Sequence, residues 1–105
     1  DVQNQLQTYY CQQAHCALGG KKEIETLALI SGGAYKSLAE AAKEGIDCFI
    51  TGNFDEPVWH QAFEEKINFF AMGHSATERV GPIALAEQMK LKNIDCHFLD
   101  IFNPF

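Results

Sequence analysis

Three glycine-bearing turns, Ser31-Gly32-Gly33, Thr51-Gly52-Asn53 and Met72-Gly73-His74, recur about twenty residues apart, each directly after a short apolar run. Ile24 to Ile30, Ile46 to Thr51 and Ile67 to Met72 are the strands this pattern predicts. Between them the apolar period changes. Tyr35, Leu38, Ala41 and Ala42 mark a helix that stops at Gly45, a C-terminal capping residue. Asp55 is placed as an N-cap with Pro57 in the first turn, ahead of a helix expected to bury Val58, Trp59, Ala62 and Phe63. Alternation of this kind predicts the α/β class, a largely parallel sheet whose strands are joined by right-handed crossovers. All three turns then share the carboxyl edge of the sheet, where ligands of such folds gather.

The flanks are read in the same way. Val2, Leu6, Tyr9 and Tyr10 predict an amphipathic helix over residues 2–15, ended by Gly19-Gly20. A further helix after Gly73-His74 reaches about Leu91. Pro82 lacks an amide hydrogen, so it kinks that helix or begins a new one. From Ile94 to Ile101, Ile94, Cys96 and Phe98 alternate with Asp95, His97 and Leu99, predicting a half-exposed edge strand. Residues 1–105 read as one unit, with no linker or low-complexity stretch.

Charge and cysteine usage remove several function classes. Eight Lys plus Arg stand against fourteen Asp plus Glu, a net charge of −6 with no basic stripe. Nucleic acid is disfavoured as a partner, because phosphate binding needs a clustered cationic face. No apolar run approaches the ~18 residues of a membrane span, and no signal peptide is recognisable. Cys11, Cys16, Cys48 and Cys96 form no Cys-x-x-Cys pair and read as buried reduced thiols, with a Cys48–Cys96 encounter left open. A cytoplasmic location is the expectation.

Among residues that carry chemistry, His74 and Glu78 are the sharpest pair. Spaced i and i+4 at a helix start, they lie on one face and can grip the same divalent ion. They are too few for a complete site, since a catalytic metal wants at least three protein ligands. The same stretch, Ser75-Ala76-Thr77-Glu78, also matches a capping box, with Glu78 reaching back to the Ser75 amide. Both readings stand on spacing. His60, beside the apolar stripe of its helix, is either solvated, or a proton carrier, or a group that supports a metal ligand from behind. His15, at the end of the first helix, and His97 take no role, and Asp47, Asp95 and Asp100 read as solvated strand ends. Neither a G-x-G-x-x-G nor a P-loop motif occurs.

The run ITGNFDEPVWHQAFEEKINFFAMGHSATERVGPIALAEQM, followed by FLDIFNPF, resembles the C-terminal segment of the NIF-three-like family, also labelled GTP cyclohydrolase I type 2-like. The matching elements are SGG, D-x-F-I-T-G, the later helix histidine, G-H-x-A-T-E-R-x-G and F-x-D-x-x-N-P, in family order from Ile24 to Phe105. The resemblance implies one half of a two-lobed α/β fold around a dinuclear metal site, with two divalent ions (zinc, manganese, iron or cobalt) per intact chain. It implies that His74 and Glu78 are metal ligands, the others being supplied by an N-terminal half absent from these residues. It implies a metal-dependent hydrolase acting on a purine nucleotide such as GTP, for which His60 is the candidate proton shuttle. Self-association into hexameric rings or trimers of dimers is implied as well. A non-catalytic metal-binding scaffold or regulatory interaction protein is the alternative. Asn53 stands where the family usually carries an acid, and Ser75 where it often carries His or Tyr.

Overall fold

Two strands are covered on both faces, and the rest of the molecule is arranged around them. The structure is a computed structural model describing residues 1–105. In chain order its elements are α1 (Val2–Tyr10), β1 (His15–Leu18), β2 (Leu27–Leu29), a 3-10 turn (Tyr35–Ser37), α2 (Leu38–Lys43), β3 (Cys48–Thr51), α3 (Val58–Glu64), β4 (Asn68–Ala71), α4 (His74–Glu78) and α5 (Val80–Leu91). They form a four-stranded sheet in the order β1-β4-β3-β2. The strands β2, β3 and β4 are parallel, and β1 pairs antiparallel to β4. The fold is thus α/β with a largely parallel sheet.

Every residue of β3 and β4 is buried, as expected of central parallel strands read as unbroken apolar runs. Register sets which side chains share a face. Phe49 pairs with Phe69 and Ile50 with Phe70. Phe49 and Phe69 stack with centroids 6.2 Å apart, on the face covered by Leu38 and Ala41 of α2 and Val58 and Ala62 of α3. Ile50, Phe70, Cys48 and Met72 form the opposite core with Tyr10 of α1.

Several expectations are corrected. The first helix ends at Tyr10, not near residue 15, because Cys11 takes the left-handed conformation (φ 51°) and its amide closes on the Gln7 carbonyl. His15 therefore opens a strand rather than closing a helix. The polar-rich sequence there hides β1, which forms by pairing with the edge that β4 offers. On α3 only Val58 and Ala62 meet the sheet. Trp59 and Phe63 remain 53% and 43% exposed and pack on each other at 4.5 Å. The helix buries one narrow i, i+4 stripe, and these two rings stand on the neighbouring one. Near Pro82 a new helix begins, two residues before the proline, at Val80. Pro82 then falls in the first turn, where no intrahelical amide is required.

No strand forms between Ile94 and Ile101. A strand needs a neighbour for its amides, and no sheet edge within these residues lies beside this one. Two contacts tie down this segment and the residues that follow it. Gln12 Nε2 donates to the Pro104 carbonyl (3.2 Å), and Arg79 approaches Asp100 at 3.8 Å. The Cα radius of gyration is 15.3 Å, against about 13 Å for a compact chain of this length. All four cysteines are free, and only Cys48 is buried; Cys11 is exposed, and Cys16 and Cys96 are half-buried. Burial pushes the Cys48 thiol up to about 12, with Asp47 adding to the effect. No helix is long and apolar enough to cross a membrane.

Candidate functional site

Backbone hydrogen bonds bring the three glycine turns together. The Gly52 amide donates to the Gly32 carbonyl at 2.8 Å, and the Gly73 amide to the Gly52 carbonyl at 2.7 Å. Side chains would not fit this approach: a Cβ at Gly52 would lie 2.5 Å from Gly32 O and 2.7 Å from His74 Cα. The shared carboxyl edge expected of SGG, TGN and MGH is present.

His74 leads α4 from this edge. The helix starts on Gly73 (φ 98°) without a side-chain cap, so Ser75 lies inside it and no capping box forms. Glu78 turns instead to His74, with Oε1 3.2 Å from Nε2. The two side chains are 47% and 54% exposed, open to an incoming ion or substrate. They face a groove of about 490 Å³ between α4 and the C-terminal segment, which also presents Arg79, Asp100 and Asn103. Arg79 is anchored there by donating to the Tyr10 carbonyl at 2.9 Å.

The donor set suits a divalent ion of intermediate softness: one imidazole nitrogen and one carboxylate oxygen already converge from one helix face. No three His, Cys, Asp or Glu side chains in the chain are so placed that they could hold a metal ion together. These residues therefore fit a metal as two ligands of a larger set. His60 is not brought to them. It stands on the exposed face of α3, edge-on to Trp59 at 5.0 Å, in a hollow with Asp55, Glu56, Glu64 and Glu65 that shares no residue with the His74 groove.

Two residues assigned no role above complete the edge. Thr77 is buried, and its hydroxyl accepts the Gly32 amide at 2.9 Å. A polar residue midway through the G-H-x-A-T-E element was the available signal. Asn53 lies by the Gly33 backbone on the His74 side: a Cβ at Gly33 would sit 3.1 Å from Asn53 Oδ1 and 3.5 Å from the His74 ring. Away from the edge, Asp47 is no solvated strand end. It accepts from the amides of Glu25 (2.9 Å) and Thr26 (3.0 Å) and pairs with Lys21 at 3.3 Å. Those bonds, led by the Glu25 amide, hold its carboxyl below the ordinary carboxylate value.

Fold and site together define an α/β protein that carries a histidine–glutamate pair on the carboxyl edge of its sheet. The model of the family described as Duf34/NIF3 (NGG1p interacting factor 3) matches residues 1–104, and the chain belongs to that family. It is 54% identical over 107 residues to a Chlamydia muridarum protein named GTP cyclohydrolase 1 type 2 homolog, covering 100% of this chain and 43% of that protein. A Yersinia pestis protein of the same name is 42% identical over 91 residues, covering 86% of this chain and 37% of its own length. Among solved structures, the protein ybgI, described as of unknown function, superposes with a TM-score of 0.94 at 32% identity, over 99% of this chain and 43% of that one. TTHA1606 from Thermus thermophilus gives 0.86 at 30% identity, over 99% of this chain and 42% of its own. The chain thus spans less than half the length of these relatives.

Proposed function

We propose that His74 and Glu78 are two ligands of a dinuclear divalent-metal centre completed by residues outside this chain, and that the whole protein is a metal-dependent hydrolase. The convergence of His74 Nε2 and Glu78 Oε1 to 3.2 Å, on an edge where no third ligand joins them, carries the reading. The metal would be zinc, manganese, iron or cobalt, all compatible with imidazole and carboxylate ligands. Bound ions supply Lewis acidity, which makes water a nucleophile near neutral pH and steadies developing negative charge.

The chain's own residues do the rest. His74 and Glu78 hold their donor atoms on one helix face, the glycine turns let backbone come close, and Arg79 offers a fixed cation in the same groove. The name carried by the relatives makes a purine nucleotide such as GTP, opened hydrolytically at its base ring, the substrate to test first. His60 has no part in the proposal, because its hollow is separate from the groove.

A second reading, a non-catalytic metal-binding scaffold that self-associates, is favoured by large apolar side chains left exposed, among them Leu85, Leu91, Leu99 and Phe102. Turnover separates the two. Full-length protein loaded with manganese or zinc is incubated with GTP, and ring opening is followed by absorbance and chromatography. The hydrolase reading expects turnover that His74→Ala abolishes. Turnover indifferent to that substitution removes the pair from catalysis, and assembly without turnover on a broad nucleotide panel favours the scaffold.

A further inference from the structure

An exposed glutamate on a five-residue helix has many rotamers open to it, yet Glu78 lies against one particular glycine. That residue, Gly32, is bound through both of its backbone groups. Its amide donates to Thr77 Oγ1 at 2.9 Å. Its carbonyl accepts from the amides of Gly52 (2.8 Å) and Asn53 (3.2 Å) and from the Thr51 hydroxyl (3.1 Å). Thr77 in turn shares its own proton between the carbonyls of Gly73 (2.9 Å) and His74 (3.0 Å). Thr51 is fully buried and Thr77 is 4% exposed, so neither hydroxyl has water as an alternative partner. Gly32 has φ +74°, and a Cβ there would run into Glu78 Oε1 while lying 3.3 Å from both Glu78 Cδ and His74 Nε2.

We propose that Gly32 and Thr77 form a seat that positions the Glu78 carboxylate beside His74. Thr77 ties the first glycine turn to α4 and so sets where the Gly32 peptide lies. The side chain that Gly32 lacks leaves the space that Glu78 fills. A carboxylate held in place before an ion arrives has less freedom to lose on binding, which is how groups behind the direct ligands tune affinity. Neither residue touches the ion, and both are positioning residues. The proposal deepens the metal reading and rests on it for the affinity measurement below, but not for the metal-free one.

Cobalt(II) is the probe, titrated into full-length protein against a competing chelator. Thr77→Val keeps the shape, removes the hydroxyl and strands the Gly32 amide. It is expected to weaken cobalt affinity about 10- to 100-fold, the usual effect of losing a group behind a ligand. Thr77→Ser is expected to return affinity close to wild type, and Gly32→Ala to weaken it at least as much as Thr77→Val. A folded Thr77→Val protein with wild-type affinity overturns the proposal, since a purely structural threonine would lower stability without moving the affinity of the folded protein. If Thr77→Val does not fold, Gly32→Ala carries the same measurement. The second readout is the metal-free crystal structure of the full-length Gly32→Ala variant. Displacement of Glu78 from His74 supports the seat, and a carboxylate still 3.2 Å from His74 Nε2 contradicts it. If His74→Ala binds cobalt as tightly as wild type, the metal reading fails by itself, and the metal-free structure still decides the seat.

Discussion

The strands β3 and β4 and the stretch from α5 to Phe105 both carry large apolar side chains at close spacing, and they end in opposite conditions. Every residue of the two strands is buried, whereas α5 buries only Ala86 and the tail leaves Leu99, Ile101, Phe102 and Phe105 at least 80% exposed. The strands find a partner on each side and a helix layer on each face within the chain. The tail has two polar ties and no covering layer. An apolar pattern thus states that a segment must be covered, but not that the covering surface is close by in the same residues. In relatives more than twice as long, such a surface has room to come from the remaining chain.

Four perturbations press on that contrast. The largest effect is expected in the central strands, where Phe70→Ala should cost about 3–5 kcal/mol by opening a cavity between the sheet and α1. Urea unfolding of this chain measures it, and a loss below about 1 kcal/mol would mean that the two-sided core is loosely packed. Leu99→Ala is the counterpart. In this chain it should move stability by no more than about 0.5 kcal/mol. In a protein of the relatives' full length it should cost about 2 kcal/mol or more if residues outside 1–105 cover the tail, and equal small effects in both would leave the tail uncovered there too.

An intermediate effect belongs to Asp47, which ties the chain before β2 to the start of β3. Its folded value lies below the ordinary 3.8, so its stabilisation is complete above 3.8 and disappears as pH falls through the folded value. Asp47→Ala should therefore lower Tm at pH 7, with the gap to wild type closing well below pH 3.8; a gap independent of pH would assign the loss to packing. The smallest effect is on Cys48. Buried, and with its thiol pushed up to about 12, it should resist iodoacetamide at pH 8 while Cys11 reacts, as mass spectrometry of the native protein would show. Rapid native labelling of Cys48 would mean that this core opens easily.

What was legible in the residues follows the same division. The glycine turns and apolar runs identify β2, β3 and β4 and their common edge, because local spacing and parallel crossovers are enough to specify them. His74 and Glu78 are legible as a pair, since i, i+4 on one helix face follows from helix geometry. That Glu78 faces His74 rather than the Ser75 amide is not legible, because it depends on α4 starting at Gly73 with Gly32 lying across it. β1 escaped notice for the complementary reason. Its four residues, HCAL, carry almost no period and become a strand only because β4 has a free edge. The run Ile94 to Ile101 has the period of a strand and, within these residues, no edge to join. Asp47 reads as a solvated strand end and Thr77 carries no visible role, because their partners lie more than twenty residues away, at Glu25 and Gly32.

The central claim is that His74 and Glu78 are part of a metal centre divided between this chain and residues beyond it. Metal content after dialysis, measured on full-length protein, on its His74→Ala variant and on residues 1–105 alone, tests it most directly. About two divalent ions per full-length chain, as in other two-metal sites, with loss in the variant and no tightly held ion in residues 1–105, is the predicted result. Two tightly held ions in residues 1–105 alone, or full occupancy in the His74→Ala protein, would contradict it.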